Sequence, residues 1–130
     1  MNLRIRAWDK TKSQMLASAI ISSMPVSMVN ADTSKVFMRY TELKDKQKKH
    51  IYEGDIVLYQ DVSRVVMGVV RFGQLDFHQC YYIEWDCTQP PRPELFYYTK
   101  NKLITVVGNV FENKSLLTPQ MQEKGLGDNG

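Results

Sequence analysis

Residues 40–57 read YTELKDKQKKHIYEGDIV, and the way this stretch divides decides the fold. It opens on the end of a segment, 35–41, in which Val36, Met38 and Tyr40 alternate with other residues at the period of a half-buried strand. A polar connection over 43–50 follows, carrying Lys44, Lys46, Lys48, Lys49 and His50. Glu53-Gly54-Asp55 then turns the chain into a second apolar run at 56–59. Two strands joined by a polar turn, with a further turn into a third, describe a chain that builds sheets by short antiparallel steps.

The flanks repeat that pattern. On the N-terminal side, Leu3, Ile5 and Ala7 alternate with Arg4, Arg6 and Trp8, which predicts a half-buried strand. Residues 9–13, DKTKS, are turn-like, and 14–21 reads as the returning strand of a hairpin. Helix competes for 14–22, because Met15, Leu16, Ala17 and Ala19 are good helix formers, but Pro25 and the nearby serines leave a helix little room. Residues 22–34 read as a loop.

On the C-terminal side, residues 61–63 turn the chain into 64–72, a strand apolar on both faces in which Gly68 marks a bulge or tight bend. Tyr81, Ile83 and Trp85 alternate over 81–85, and 96–98 and 103–111 close the domain, with Gly108-Asn109 bending the last segment. Gln89-Pro90-Pro91-Arg92-Pro93 forms an exposed loop, since proline cannot pair inside a sheet. The predicted fold is mainly β and antiparallel, an SH3-like barrel or a small barrel or sandwich, with little helix. It occupies 1–117 as one domain; 118–130, with three glycines, Pro119 and almost nothing apolar, reads as a disordered tail.

Composition narrows the function classes. A chain of 130 residues suits one domain, which buries roughly two thirds of its unfolded surface and needs no metal or disulfide staple. The net charge of +3, from 17 Lys and Arg against 14 Asp and Glu, is small for a dedicated polyanion binder. Residues 15–29 are broken by serines and Pro25 and fall short of the ~20 apolar residues of a membrane span. Residues 1–6 lack the apolar run of a signal peptide, and Cys80 and Cys87 are the only cysteines, so the expected setting is a reducing cytoplasm, with no membrane.

Catalytic and metal chemistry find few residues to use. The histidines are His50, in the lysine-rich connection, and His78, so a histidine triad has little to build on. His78, Cys80 and Cys87 lack the close paired spacing and the fourth ligand of a structural zinc site. The acid pairs Glu53/Asp55 and Glu84/Asp86 each fall on one face of a strand or turn, and read as solvated or backbone-binding carboxylates. The chain carries no phosphate loop and no nucleophile elbow. We expect no enzyme, no cofactor and no metal.

Two binding readings remain. The loop over 87–95, with Pro91 and Arg92 flanked by Trp85 and Tyr97, has the aromatic and arginine content of a protein interface. The alternative is nucleic acid, through Lys46, Lys48 and Lys49, with Tyr81, Tyr82, Trp85, Tyr97 and Tyr98 as stacking faces. Glu42 and Asp45 dilute that basic run, which ranks it second.

The motifs taken together resemble the YopX family of small phage and prophage proteins. LRIRAWDKTKSQM at 3–15 is similar to that family's FRAWD-type opening, YTELKDKQKKHIYEGDIV to its YTGLKDKNGKEIYEGDIV signature, and VVGNVFENKSLL at 106–117 to its closing VIGNIYENPELL. Glu42 and Lys48 stand where that signature carries glycine, and Lys114 where it carries proline. Lys48 in a left-handed backbone would cost on the order of 1 kcal/mol, which predicts a different or wider turn here. The step from Glu53 to Val57 followed by Gly68-Val69-Val70 is also similar to SH3-like barrels. The resemblance implies a β-rich, phage-derived cytoplasmic protein without a known reaction. Its expected partner is a host or phage protein, with inhibition of a host defence system as the sharpest form, or a second copy joined through exposed edge strands.

Overall fold

In a computed structural model of the chain, which describes residues 5–16 and 35–124, the fold is mainly β and antiparallel. The chain divides into two units, Met1–Tyr40 and Thr41–Gly130.

In the first unit, β1 (Ile5–Asp9) pairs antiparallel with β2 (Gln14–Leu16) and with the start of β3 (Lys35–Lys44). Asp9 shapes the β1–β2 turn: its buried carboxylate accepts the N–H groups of Thr11 and Lys12 at 3.0 and 3.2 Å. The strand reading of 14–21 holds for Gln14–Leu16; the rest of that segment and the loop over 22–34 lie outside the described residues.

In the second unit, residues 41–44 of β3 run beside β4 (His50–Tyr52), and the Thr41 hydroxyl donates to the Ile51 carbonyl at 2.8 Å. The connection between them is built on Asp45, which is buried. Its Oδ1 accepts the N–H groups of Gln47 and Lys49 at 2.8 and 2.9 Å, and its Oδ2 accepts the Val106 N–H at 2.9 Å. Glu42 and Lys48 both have left-handed backbones, with φ of 67° and 68°. The expected different or wider turn is therefore not used. The chain keeps a turn that suits glycine and accepts the strain, because the Asp45 carboxylate fixes the surrounding N–H groups.

Four strands, β5 (Asp55–Gln60), β6 (Val65–Leu75), β7 (His78–Trp85) and β8 (Ile104–Asn109), form an antiparallel sheet in the order β7-β6-β5-β8. Their period-two alternation sends Val57, Val66, Val70, Ile83, Trp85, Ile104 and Val106 to one face, where Ile51 of β4 and Leu95 and Tyr98 complete a core. Ile56 and Val69 join a second core with Val110, Leu117 and Met121. The central strands are thus covered on both faces, which is why 64–72 carries apolar residues at odd and even positions alike. Gly68 does not make a bulge; it pairs in regular register with Val57 and Trp85, and the irregularity lies between Ile56 and Val57, opposite β8.

Two helices depart from the sequence reading. Residues 96–98 fall within α1 (Leu95–Lys100), which buries Leu95 and Tyr98 against the first core. A helix of under two turns offers too few apolar repeats for its period to show. The tail expected from residue 118 is ordered at its start. After a 3₁₀ turn at Lys114–Leu116, α2 (Pro119–Lys124) seats Met121 in the second core. Polar clasps hold it: the Asp86 carboxylate accepts both the N–H and the hydroxyl of Thr118, at 2.8 and 2.7 Å, and Lys124 pairs with Glu84. Residues 125–130 lie outside the described residues.

Glu84 also receives the Nε of buried Arg71 at 2.9 Å. Burial pushes the Glu84 carboxyl up, but the hydrogen bonds from Lys124 and Arg71 and their positive charges outweigh it and hold the pKa below the ordinary carboxylate value. A folded-state pKa below the unfolded one contributes stability that is present above about pH 4.3 and lost as pH falls through the folded value. Urea midpoints measured from neutral pH down to about pH 3 should fall more steeply for the wild type than for Glu84→Gln, which lacks this titration. Equal slopes would count against the clasp.

Candidate partner-binding surface

The loop between β7 and α1 is fixed from beneath by aromatic donors. The Arg92 carbonyl accepts two hydrogen bonds, from Trp85 Nε1 at 3.0 Å and from the Tyr98 hydroxyl at 2.7 Å. Both rings are buried, and burial pushes the Tyr98 hydroxyl pKa up, so it stays a donor. Tyr98 sits at the centre of an aromatic cluster, with ring centroids 5.2 Å from Tyr59, 5.4 Å from Trp85 and 5.1 Å from Tyr97, all edge-on. The Pro93 carbonyl accepts the Ile83 N–H at 2.8 Å, and Gln89 O accepts Arg64 Nη2 at 2.6 Å. Prolines at 90, 91 and 93 fix φ between those anchor points.

Above these anchors the Arg92 side chain is exposed. Its guanidinium lies 4.3 Å from the centroid of the Tyr97 ring, a cation–π contact, and pairs with Glu94 at 3.0 Å. The hydrogen bond from Arg92 holds Glu94 below its ordinary pKa. Pro91 and Tyr97 are half-buried, and Phe96, on the outer side of α1, is 61% exposed. Of the four residues the sequence singled out, the structure brings Arg92 and Tyr97 together at the surface, with Pro91 next in the loop. Trp85 is placed beneath them, as the loop's anchor. Sequence reasoning missed Phe96, because in an extended 96–98 segment its side chain points away from that of Tyr97.

The second candidate set, Lys46, Lys48 and Lys49, is exposed on the Asp45 turn. Of the proposed stacking faces, Trp85 and Tyr98 are core, and Tyr81 packs edge-on against Phe72 at 4.8 Å. The acid pairs are held by the fold. Asp55 accepts the Tyr52 N–H at 2.8 Å, while Glu84 and Asp86 clasp α2. Cys80 and Cys87 are half-buried and not joined to each other. Among the described residues no group of three or more His, Cys, Asp or Glu could hold a metal ion, and no helix is long and apolar enough to cross a membrane.

The outer edge of β8 and the 82–83 stretch of β7's outer edge are covered by the chain itself. Along β8, the Ile104 carbonyl accepts the Lys46 N–H at 3.1 Å, Val106 donates to Asp45, and the Asn109 N–H donates to Asn113 Oδ1 at 3.1 Å. Along β7, Pro93 takes the Ile83 N–H and Glu94 bridges to Tyr82. Covered edges discourage pairing with a second chain.

Fold and surface together define a small antiparallel β domain that presents a braced proline–arginine–tyrosine loop. The chain belongs to the YopX family, whose sequence profile, described as YopX protein, matches residues 8–118. Among solved structures it is similar to protein EF1440 from Enterococcus faecalis, with a TM-score of 0.60 and 22% sequence identity over 88% of this chain and 97% of that one. At that identity the likeness concerns the fold. No curated protein matches the chain.

Proposed function

We propose that the protein acts by non-covalent binding to another protein, through the surface formed by Arg92, Tyr97, Pro91 and Phe96. The reading places it as a phage- or prophage-encoded accessory protein in a bacterial cytoplasm, with a host protein as its partner and a defence component as the sharpest case. The observation that carries it is the double hydrogen bond to the Arg92 carbonyl from Trp85 and Tyr98. A loop so braced loses little conformational entropy on docking, and its exposed groups are the arginine and aromatic types that dominate interface energies. The covered outer edge of β8 favours this reading over self-assembly by strand addition at that edge.

Immobilised wild-type protein and the Arg92→Ala and Tyr97→Ala variants should be compared for capture from host lysate. A specific protein retained by the wild type should bind each variant about thirtyfold more weakly, the loss of one hot-spot side chain worth about 2 kcal/mol. Equal capture by wild type and both variants would remove the assignment.

A further inference from the structure

The structure joins two lysine-bearing turns that are far apart in sequence. The Asp45 turn carries Lys46, Lys48 and Lys49, and the end of α1 with the turn after it carries Lys100 and Lys102, all exposed. The Lys46 N–H donates to the Ile104 carbonyl at 3.1 Å, and the Asp45 carboxylate accepts the Val106 N–H at 2.9 Å, so the two turns lie side by side at one end of β8. Among the described residues none of the five lysines is paired with a carboxylate. Asp45, the acid within the turn, is buried and gives both oxygens to backbone N–H groups; Glu42, on the neighbouring strand, is the exposed acid nearest in sequence.

The backbone adds a second observation. Lys48 and Lys102 stand at φ of 68° and 55°, left-handed conformations that glycine adopts without cost. Each of the two adjacent turns thus holds a lysine where the fold alone would be better served by glycine. Residues held in such conformations by their surroundings cluster at functional sites.

We propose that these two turns form one basic patch that binds the phosphate backbone of duplex nucleic acid. Lysines supply mobile point charges, suited to phosphates rather than to the bidentate reading of bases. With Trp85 and Tyr98 in the core, the patch has few faces on which to stack unpaired bases, which favours a duplex over a single strand. Binding should be independent of sequence and steep in salt.

Fluorescence anisotropy of the full chain with a labelled duplex DNA of arbitrary sequence, at salt from ~50 to ~200 mM, tests this. Five phosphate contacts predict a slope of about −4.5 in log affinity against log salt. Lys46→Gln should weaken binding at all sequences and reduce that slope by about 1. The decisive variant is Lys48→Gly with Lys102→Gly. It should raise the melting temperature by a few degrees while weakening DNA binding several-fold, and Lys48→Arg should keep wild-type affinity. A patch with only a structural role cannot give higher stability and lower affinity together. The proposal is overturned by the absence of binding at ~50 mM salt, by unchanged affinity in the double-glycine variant, or by tighter binding to poly-glutamate than to the duplex.

Discussion

Asp45→Ala should lose about 3–5 kcal/mol of folding stability, read as a large fall in the urea midpoint. The reason lies in what the carboxylate does alone: one side chain satisfies the N–H groups of Gln47, Lys49 and Val106 at 2.8–2.9 Å. Removing it leaves the Val106 N–H, on a core strand, without its acceptor, at a cost of about 1–3 kcal/mol for a buried donor. The turn itself then loses two further charge-assisted bonds, and Lys48 loses the frame that holds it left-handed. Asp45→Asn should recover part of the loss. An amide keeps one oxygen for the turn but presents N–H₂ to another N–H at the second position. An alanine variant within 1 kcal/mol of wild type would mean that the turn does not depend on Asp45.

Asp45 also shows where the sequence is readable. The polar turn at 43–50, the Glu53-Gly54-Asp55 corner and the strands on either side are all visible as period-two runs between turn residues. What is not visible is that the one acid inside a lysine-rich run points inward. Sequence reading counts Asp45 as a dilution of positive charge; the fold buries it, so the exposed turn is more basic than its composition. The Lys100–Lys102 turn could not be joined to it either, because that juxtaposition depends on β8 returning beside residue 46, a non-local pairing without a local signal.

The helices were hidden for a related reason. Aromatic residues 96–98 have the composition of a strand, and the helix exists because Leu95 and Tyr98, three residues apart, reach one core across the sheet face. Leu117 and Met121 are spaced four apart and seat in the other core, but in a stretch of glycine, glutamine and proline two apolar residues do not announce a helix. Their partners Glu84 and Asp86 were read as a solvated strand face, and only the packing shows that this face holds the chain's return. The surface loop was legible as an exposed proline-rich segment, whereas Trp85, which seemed part of its outer face, is the donor that braces it.

Gly68→Ala should cost about 3 kcal/mol or more, although alanine is the smallest possible addition. A Cβ at that position would stand 2.5 Å from Ile83 Cγ2, 2.9 Å from the Glu84 carbonyl oxygen and 2.9 Å from Trp85 Cε3. All three atoms belong to β7, paired directly across from β6, so relief means moving the strand or its two core side chains. Overpacking a well-filled core commonly costs 1–3 kcal/mol, and here one of the clashing atoms is backbone. Backbone dihedrals are not the cause, since Gly54, and not Gly68, is the glycine of the described residues with positive φ. Gly73 on the same strand supplies the control: its added Cβ would meet Tyr82 Cε1 at 3.4 Å, an ordinary contact, so Gly73→Ala should be nearly neutral. Because Trp85 also braces the Arg92 loop, Gly68→Ala should blunt the wild-type tryptophan emission and speed proteolysis at the 86–93 loop under native conditions. A Gly68→Ala protein as stable as Gly73→Ala would show that β7 can retreat from β6 without loss. The close packing of Ile83 and Trp85 over a bare backbone would then not be what fixes this sheet.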